Sequence, residues 1–205
     1  GAGIVKSLRT PGENITGFSN FSKELTSKGL EIFKDTFPSI KNVLTAYNPQ
    51  NPYSMSAIGD LRKAALSLKI NLIEITGDST NVIRSKLHNV KKKEVDGIYI
   101  IPDTIALFMF SEFVQLSKQF KIPIMAHESS LAEKGAAVSY GADFFELGKL
   151  SYVYVKAILN GESVSNLPVF FHDNFTLTVN KKTLDSLELK PSKKTLFFAD
   201  RLIND

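Results

Sequence analysis

The 205-residue chain contains no cysteine, which excludes disulfides, Cys-ligated zinc and thiol nucleophiles. Histidine is scarce. His88, His127 and His172 stand far apart and show no metal-ligand spacing. No apolar run approaches the ~18 residues needed to span a bilayer, and the first residues do not read as a secretory leader. The charge excess is small: 25 Lys and Arg against 21 Asp and Glu give +4. Those charges are too scattered to suit nucleic acid, and the densest cluster, Lys91-Lys92-Lys93, ends in Glu94 as a solvated helix end does. Nucleotide loops, the G-x-S-x-G elbow, H-E-x-x-H and G-x-G-x-x-G are all missing. No cofactor and no metal are expected. With 43% apolar residues the chain can bury roughly 70% of its unfolded surface, so its core needs no staple. It begins Gly1-Ala2-Gly3-Ile4-Val5 without Met, like the middle of a domain, so missing N-terminal signals say little about the natural protein.

What is present is an alternation of periods. Leu25, Leu30, Phe33 and Phe37 recur at helical spacing, and Pro38 closes that segment. Short apolar runs at 43–47, 72–76, 97–101 and 122–126 read as strands. Helical patterns separate them, from about Ser54 to Lys69, through Val82, Ile83, Leu87 and Val90, and from Thr104 to about Gln119. Strand–helix alternation with short connections predicts an α/β fold, a parallel sheet covered by helices on both faces. The last third departs from it. A strand and turn at 136–141 precede a broad-faced helix from Asp143 to Asn160, then a strand through Phe175, Leu177 and Val179, and a short helix at 183–189.

Ligands of such sheets sit beyond the carboxyl ends of the strands, where the polar residues gather here. The segment Tyr47-Asn48-Pro49-Gln50-Asn51-Pro52-Tyr53-Ser54-Met55-Ser56 leaves a strand and feeds a helix start. Ser54 and Ser56 can join the free amides there around a carboxylate or phosphate, or one Ser can simply cap the helix. Asp103 either caps the next helix or pairs with an ammonium group. Tyr140 either stacks on a ligand or fills a hinge. Phe108, Met109 and Phe110 read as core or interface. His127-Glu128, near Asp103, is the best enzymatic candidate, although adjacent strand residues point to opposite faces and a polar loop capping the sheet is the commoner outcome.

In order and spacing, these segments resemble the substrate-binding-protein family often linked to ABC transporters for aromatic amino acids and related solutes. Pro11-Gly12-Glu13-Asn14-Ile15-Thr16-Gly17 resembles the family's P-G-G-N-V-T-G, with Glu13 replacing the second Gly. Tyr47-Asn48-Pro49 followed by Ser54 resembles its strand-end Y-N-P, and Asp96-Gly97-Ile98-Tyr99-Ile100-Ile101-Pro102-Asp103 its D-A-I-Y-V-P-x-D. Gly135-Ala136 through Ser139-Tyr140-Gly141-Ala142-Asp143-Phe144, then Leu147-Gly148-Lys149, resemble G-A-L-A-S-Y-G-x-D-Y and L-G-R; Leu167-Pro168-Val169 and Val179-Asn180 complete the tail.

The resemblance implies one lobe of a type I periplasmic-binding fold plus hinge segments of another lobe, most of which has no counterpart here. Residues 1–18 would be a hinge remnant, 19–135 the Rossmann-like carboxyl-terminal lobe, 136–167 a hinge strand and a helix of the other lobe, and 168–205 the return. It further implies an extracytoplasmic solute-binding component of an ABC importer, lipid-anchored in its full length and partnered by a membrane permease. Its solute would be an amino acid or derivative held between closing lobes. The cleft side would offer Tyr47, Asn48, Asn51, Ser54, Ser56, Asp103, Ser139 and Tyr140. Of these, Ser54 and Ser56 would take a carboxylate, Asp103 an ammonium group and Tyr140 an apolar side chain. The 143–160 helix, short of its partner sheet, would make this chain self-associate. Two other classes stay open: a ligand-sensing receptor domain on the same fold, and an enzyme using His127 and Glu128.

Overall fold

The computed structural model describes residues 4–20, 22–172 and 174–204. In chain order the elements are β1 (Phe18–Asn20), α1 (Ser22–Thr36), β2 (Asn42–Tyr47), α2 (Pro52–Ser67), β3 (Asn71–Thr76), α3 (Thr80–Leu87), β4 (Gly97–Ile100), α4 (Thr104–Phe108) and α5 (Phe110–Phe120). They continue with β5 (Ile124–Glu128), α6 (Ser129–Glu133), β6 (Val138–Ala142), α7 (Phe144–Leu159), β7 (Phe170–His172), β8 (Thr176–Asn180), α8 (Lys181–Ser186), α9 (Lys193–Phe198) and β9 (Arg201–Ile203). Two compact units result: Gly1–Phe21 with Ala142–Phe175, and Ser22–Gly141 with Thr176–Asp205.

The larger unit is built on a seven-stranded sheet in the order β3-β2-β4-β5-β6-β8-β9. Strands β3, β2, β4 and β5 run parallel, with Leu44 facing Ile73 on one side and Ile98 on the other. Alternation along β2 explains the two cores. Val43 and Tyr47 pack with Leu30, Phe33, Ile58 and Leu61 of α1 and α2, whereas Leu44 and Ala46 pack with Ile83, Phe110 and Phe113 of α3 and α5. Both faces of these strands are covered, which is why they read as unbroken apolar runs. No helix among the described residues is long and apolar enough to cross a membrane.

The structure differs from the sequence reading in several places. The strand at 136–141 belongs to this sheet, because β6 pairs antiparallel with β8, Ser139 facing Thr178. Residues 168–175 do not return to the larger unit; β7 pairs in parallel with β1 in the smaller one. Each crossing between units therefore falls several residues later than expected, since backbone pairing and not hydrophobic pattern decides it. The single helix expected from Thr104 breaks at Met109, where no Gly or Pro warns of it; α5 restarts there with Met109 fully buried. α6, α9 and β9 carry too short a pattern to be read from sequence. The Glu13 departure costs the first motif nothing visible, because the left-handed position is Gly12 (φ +74).

In the smaller unit α7 is capped by Asp143, which accepts from the amides of Phe145 and Glu146 at 2.9 and 3.3 Å. Tyr154 packs its ring against Phe18, tilted by 59° with the centroids 4.9 Å apart, and donates its hydroxyl to the Pro168 carbonyl at 2.8 Å. No residue of α7 is buried.

One glycine is dictated by packing. A Cβ on Gly141 would lie 1.8 Å from the His127 carbonyl oxygen, so β6 can approach the end of β5 only without a side chain there. Gly59, inside α2, has nothing within 4 Å. Urea unfolding should show Gly141→Ala losing more than about 3 kcal/mol, beyond ordinary overpacking, while Gly59→Ala gains about 0.5–1 kcal/mol.

Candidate functional site

The carboxyl edge of the larger unit's parallel strands holds six of the eight expected residues, between the end of β2 and the start of α2 and after β4. Asn51 caps α2 by accepting from the Tyr53 amide at 2.9 Å, and its carbonyl accepts the Met55 amide. Pro52 has no N–H to offer. The Tyr53 and Met55 amides of that first turn are thus taken within the protein, and Ser54 is fully buried, so the helix start is a weaker anion site than its sequence suggested. Asn48 folds its Oδ1 back onto the Gln50 amide at 2.9 Å, a local turn that shapes the loop.

Asp103 and Ser54 are brought together, but with each other. The Asp103 carboxylate is only 2% exposed as a residue. Its Oδ1 caps α4 by accepting from the Ala106 amide at 2.9 Å. Its Oδ2 accepts from the Ser54 hydroxyl at 2.6 Å and from the Asn48 amide at 3.0 Å. Both the capping and the pairing readings thus compete for one carboxylate, and three protein donors already hold it.

Tyr47 points into the core. Its hydroxyl donates to Glu74 at 2.8 Å and accepts from Arg62 at 3.1 Å, and Arg62 grips Glu74 through two bonds of 2.8 and 2.7 Å. Burial, then the Glu74 hydrogen bond, push the Tyr47 hydroxyl up to about 12. The Arg62 hydrogen bond holds the Glu74 carboxyl below its ordinary value against the opposing effect of burial. Sequence reasoning missed Glu74 and Arg62; the available signal was a carboxylate in the middle of the apolar run 72–76.

Of the other expected residues, Ser56 and Asn51 are half-buried, as is Tyr140 on β6. Ser139 is fully buried, and its hydroxyl has no hydrogen-bond partner among the described residues. His127 and Glu128 close β5. The His127 Nδ1 lies 3.2 Å from the Ile100 carbonyl oxygen, and its Nε2 lies 3.9 Å from Glu128 Oε2, too far for a hydrogen bond. Glu128 Oε1 instead accepts from the Ser130 hydroxyl at 2.7 Å. A proton relay between the two side chains is therefore not formed. Among the described residues no cluster of three His, Asp or Glu could hold a metal. A surface cavity of about 660 Å³ lined by Arg84, Leu87, His88, Glu112 and Phe120 contains none of the expected residues.

With the edge described, the comparisons with known proteins decide the family. A family model described as ABC transporter substrate binding protein matches residues 1–203. The chain belongs to this family. A tyrosine-binding protein of Clostridioides difficile is 26% identical over 189 residues, 92% of this chain and 54% of the relative. A conserved domain protein from Vibrio cholerae superposes with a TM-score of 0.82 at 28% identity, over 97% of this chain and 66% of that one. An ABC domain from Streptococcus pneumoniae in complex with L-Trp superposes with a TM-score of 0.80 at 24% identity, over 98% and 68%. The chain thus spans about half the length of the curated relative it matches. Two of these relatives are described by the amino acid they hold, tyrosine in one and L-Trp in the other.

Burial holds the His127 imidazole below its ordinary value near 6.5, outweighing the nearby Glu128 charge. The native ring therefore resists a proton that the unfolded chain accepts, so stability is full above about pH 6.5 and declines as pH falls from there through the lowered native value. Urea unfolding from about pH 7.5 down to about pH 5 should show this decline, with a shallower slope in His127→Gln.

Proposed function

We propose that this protein is the extracytoplasmic solute-binding component of an ABC importer, lipid-anchored in its full length, and that it captures an amino acid or derivative for delivery to a membrane permease. The observation that carries the reading is the family match over residues 1–203. Polar residues collected at the carboxyl edge of a parallel sheet agree with it, since open α/β sheets bind ligands there. The tyrosine-binding relative makes an aromatic amino acid the first solute to try. We assign solute contacts to Asn48, Asn51, Ser56, Ser139 and Tyr140; the Ser139 hydroxyl has no hydrogen-bond partner among the described residues. Tyr47, Ser54 and Asp103 act as the frame, because their polar atoms are engaged within the fold.

Calorimetry on the full-length protein with L-tyrosine and L-tryptophan tests the reading. Binding is expected, and at a hundredfold excess over Kd it should stabilise the fold by about 2.7 kcal/mol. Failure of every one of the standard amino acids to bind would overturn it.

For the 205-residue chain alone we propose self-association through α7. Phe145, Tyr152 and Leu159, spaced by seven, are 73%, 63% and 80% exposed and line one stripe, the spacing of a helix–helix seam. Three such side chains left in water forgo roughly 1.5–3 kcal/mol each relative to burial. Light scattering should report a dimer or larger species that Tyr152→Glu with Leu159→Glu converts to monomer; a monomeric parent chain would refute the idea.

A further inference from the structure

We propose that His127 and Glu128 together form the seat of a primary ammonium group at the carboxyl end of β5, in place of Asp103. The proposal deepens the amino-acid reading above and rests on it.

The Ile100 carbonyl can only accept, so the proton of the His127 ring sits on Nδ1, 3.2 Å away. In the neutral ring Nε2 is then a bare lone pair. Burial, which disfavours the imidazolium, keeps the ring in that neutral form near pH 7. Glu128 contributes a second bare acceptor. Its Oε1 is occupied by the Ser130 hydroxyl, but Oε2 faces the Nε2 lone pair at 3.9 Å with no proton between them. Among the described residues no Lys or Arg lies within ion-pair distance of Glu128.

Two acceptors, one of them charged, thus share a nearly dry corner: the side chains are 12% and 16% exposed. Neither acceptor atom is fully buried, so each is open to a donor from outside the protein. A group that satisfies both atoms must supply at least two N–H bonds and a positive charge from one centre. A primary ammonium does so, having three donors and no acceptor. With the acceptors 3.9 Å apart, one nitrogen between them reaches both at ordinary hydrogen-bond length. The dipeptide is also held in place, because β6 passes Gly141 directly against the His127 carbonyl and the Glu128 Cα. Asp103 has no such vacancy: three protein donors hold it and it is 2% exposed.

The test is calorimetry on the full-length protein with L-tyrosine and with 3-(4-hydroxyphenyl)propionate, which keeps the ring and carboxylate but lacks the ammonium. Glu128→Gln retains an oxygen for Ser130 and removes the charge. It should weaken L-tyrosine at least about tenfold, the scale of a charged hydrogen bond, while changing the analogue less than about threefold and leaving the melting temperature of the free protein in place. Should the Gln variant fail to fold, Glu128→Asp, which keeps the charge but withdraws it, should still weaken L-tyrosine and spare the analogue. Wild-type affinity for L-tyrosine in a folded Glu128 variant would overturn the seat and leave the amino-acid reading standing. A wild-type protein that binds neither L-tyrosine nor L-tryptophan would overturn the seat together with the aromatic reading.

Discussion

The carboxyl edge of the sheet depends on one buried carboxylate. Asp103 follows β4, and its two oxygens gather the start of α4, the hydroxyl of Ser54 on α2 and the amide of Asn48 after β2. β2 and β4 are neighbours in the sheet, so the carboxylate ties two adjacent strand-to-helix loops to each other. A charge as little exposed as this must be compensated by donors, and hydrogen bonds to a charged group contribute about 1.5–3 kcal/mol each. The Asn48–Ser56 segment is held in position by that tie. Asp103, which the resemblance assigned to an ammonium group, is held here by three protein donors.

Tyr47, Glu74 and Arg62 do comparable work beside it. The tyrosine hydroxyl, the Glu74 carboxylate on β3 and the Arg62 guanidinium on α2 satisfy one another, which lets polar groups lie against an apolar core. The polar atoms at this end of the sheet divide into two sorts. Those of Tyr47, Ser54 and Asp103 are spent inside the protein. Those of His127 Nε2 and Glu128 Oε2 are not, because both are acceptors and cannot satisfy each other. Recognition chemistry is expected of the second sort, since a bound group gains most where the protein has left a demand unfilled.

The smaller unit follows a different balance. Its two strands are three residues each, and a two-stranded pairing is marginal by itself. α7 has a sound cap at Asp143 and a long apolar sequence, yet no residue of it is buried. Local signals form this helix; tertiary burial contributes little to it within the described residues.

The sequence by itself determined the class of the fold and most of its elements. Unbroken apolar runs at β2 to β5 and helical spacing between them require a covered parallel sheet, because strand and helix periods differ and a short connection leaves little choice of topology. Ordered motifs such as Tyr47-Asn48-Pro49 and Pro102-Asp103 also made the family legible. Tertiary structure alone decided what those residues do. Whether Asp103 faces a solute or Ser54 depends on how close α2 comes, and whether Tyr47 points outward depends on Glu74, 27 positions away. The antiparallel β6–β8 pairing and the β1–β7 pairing join segments distant in the chain. Sequence periodicity reports which face of an element is apolar, but pairing partners and hydrogen-bond donors are chosen by the fold as a whole.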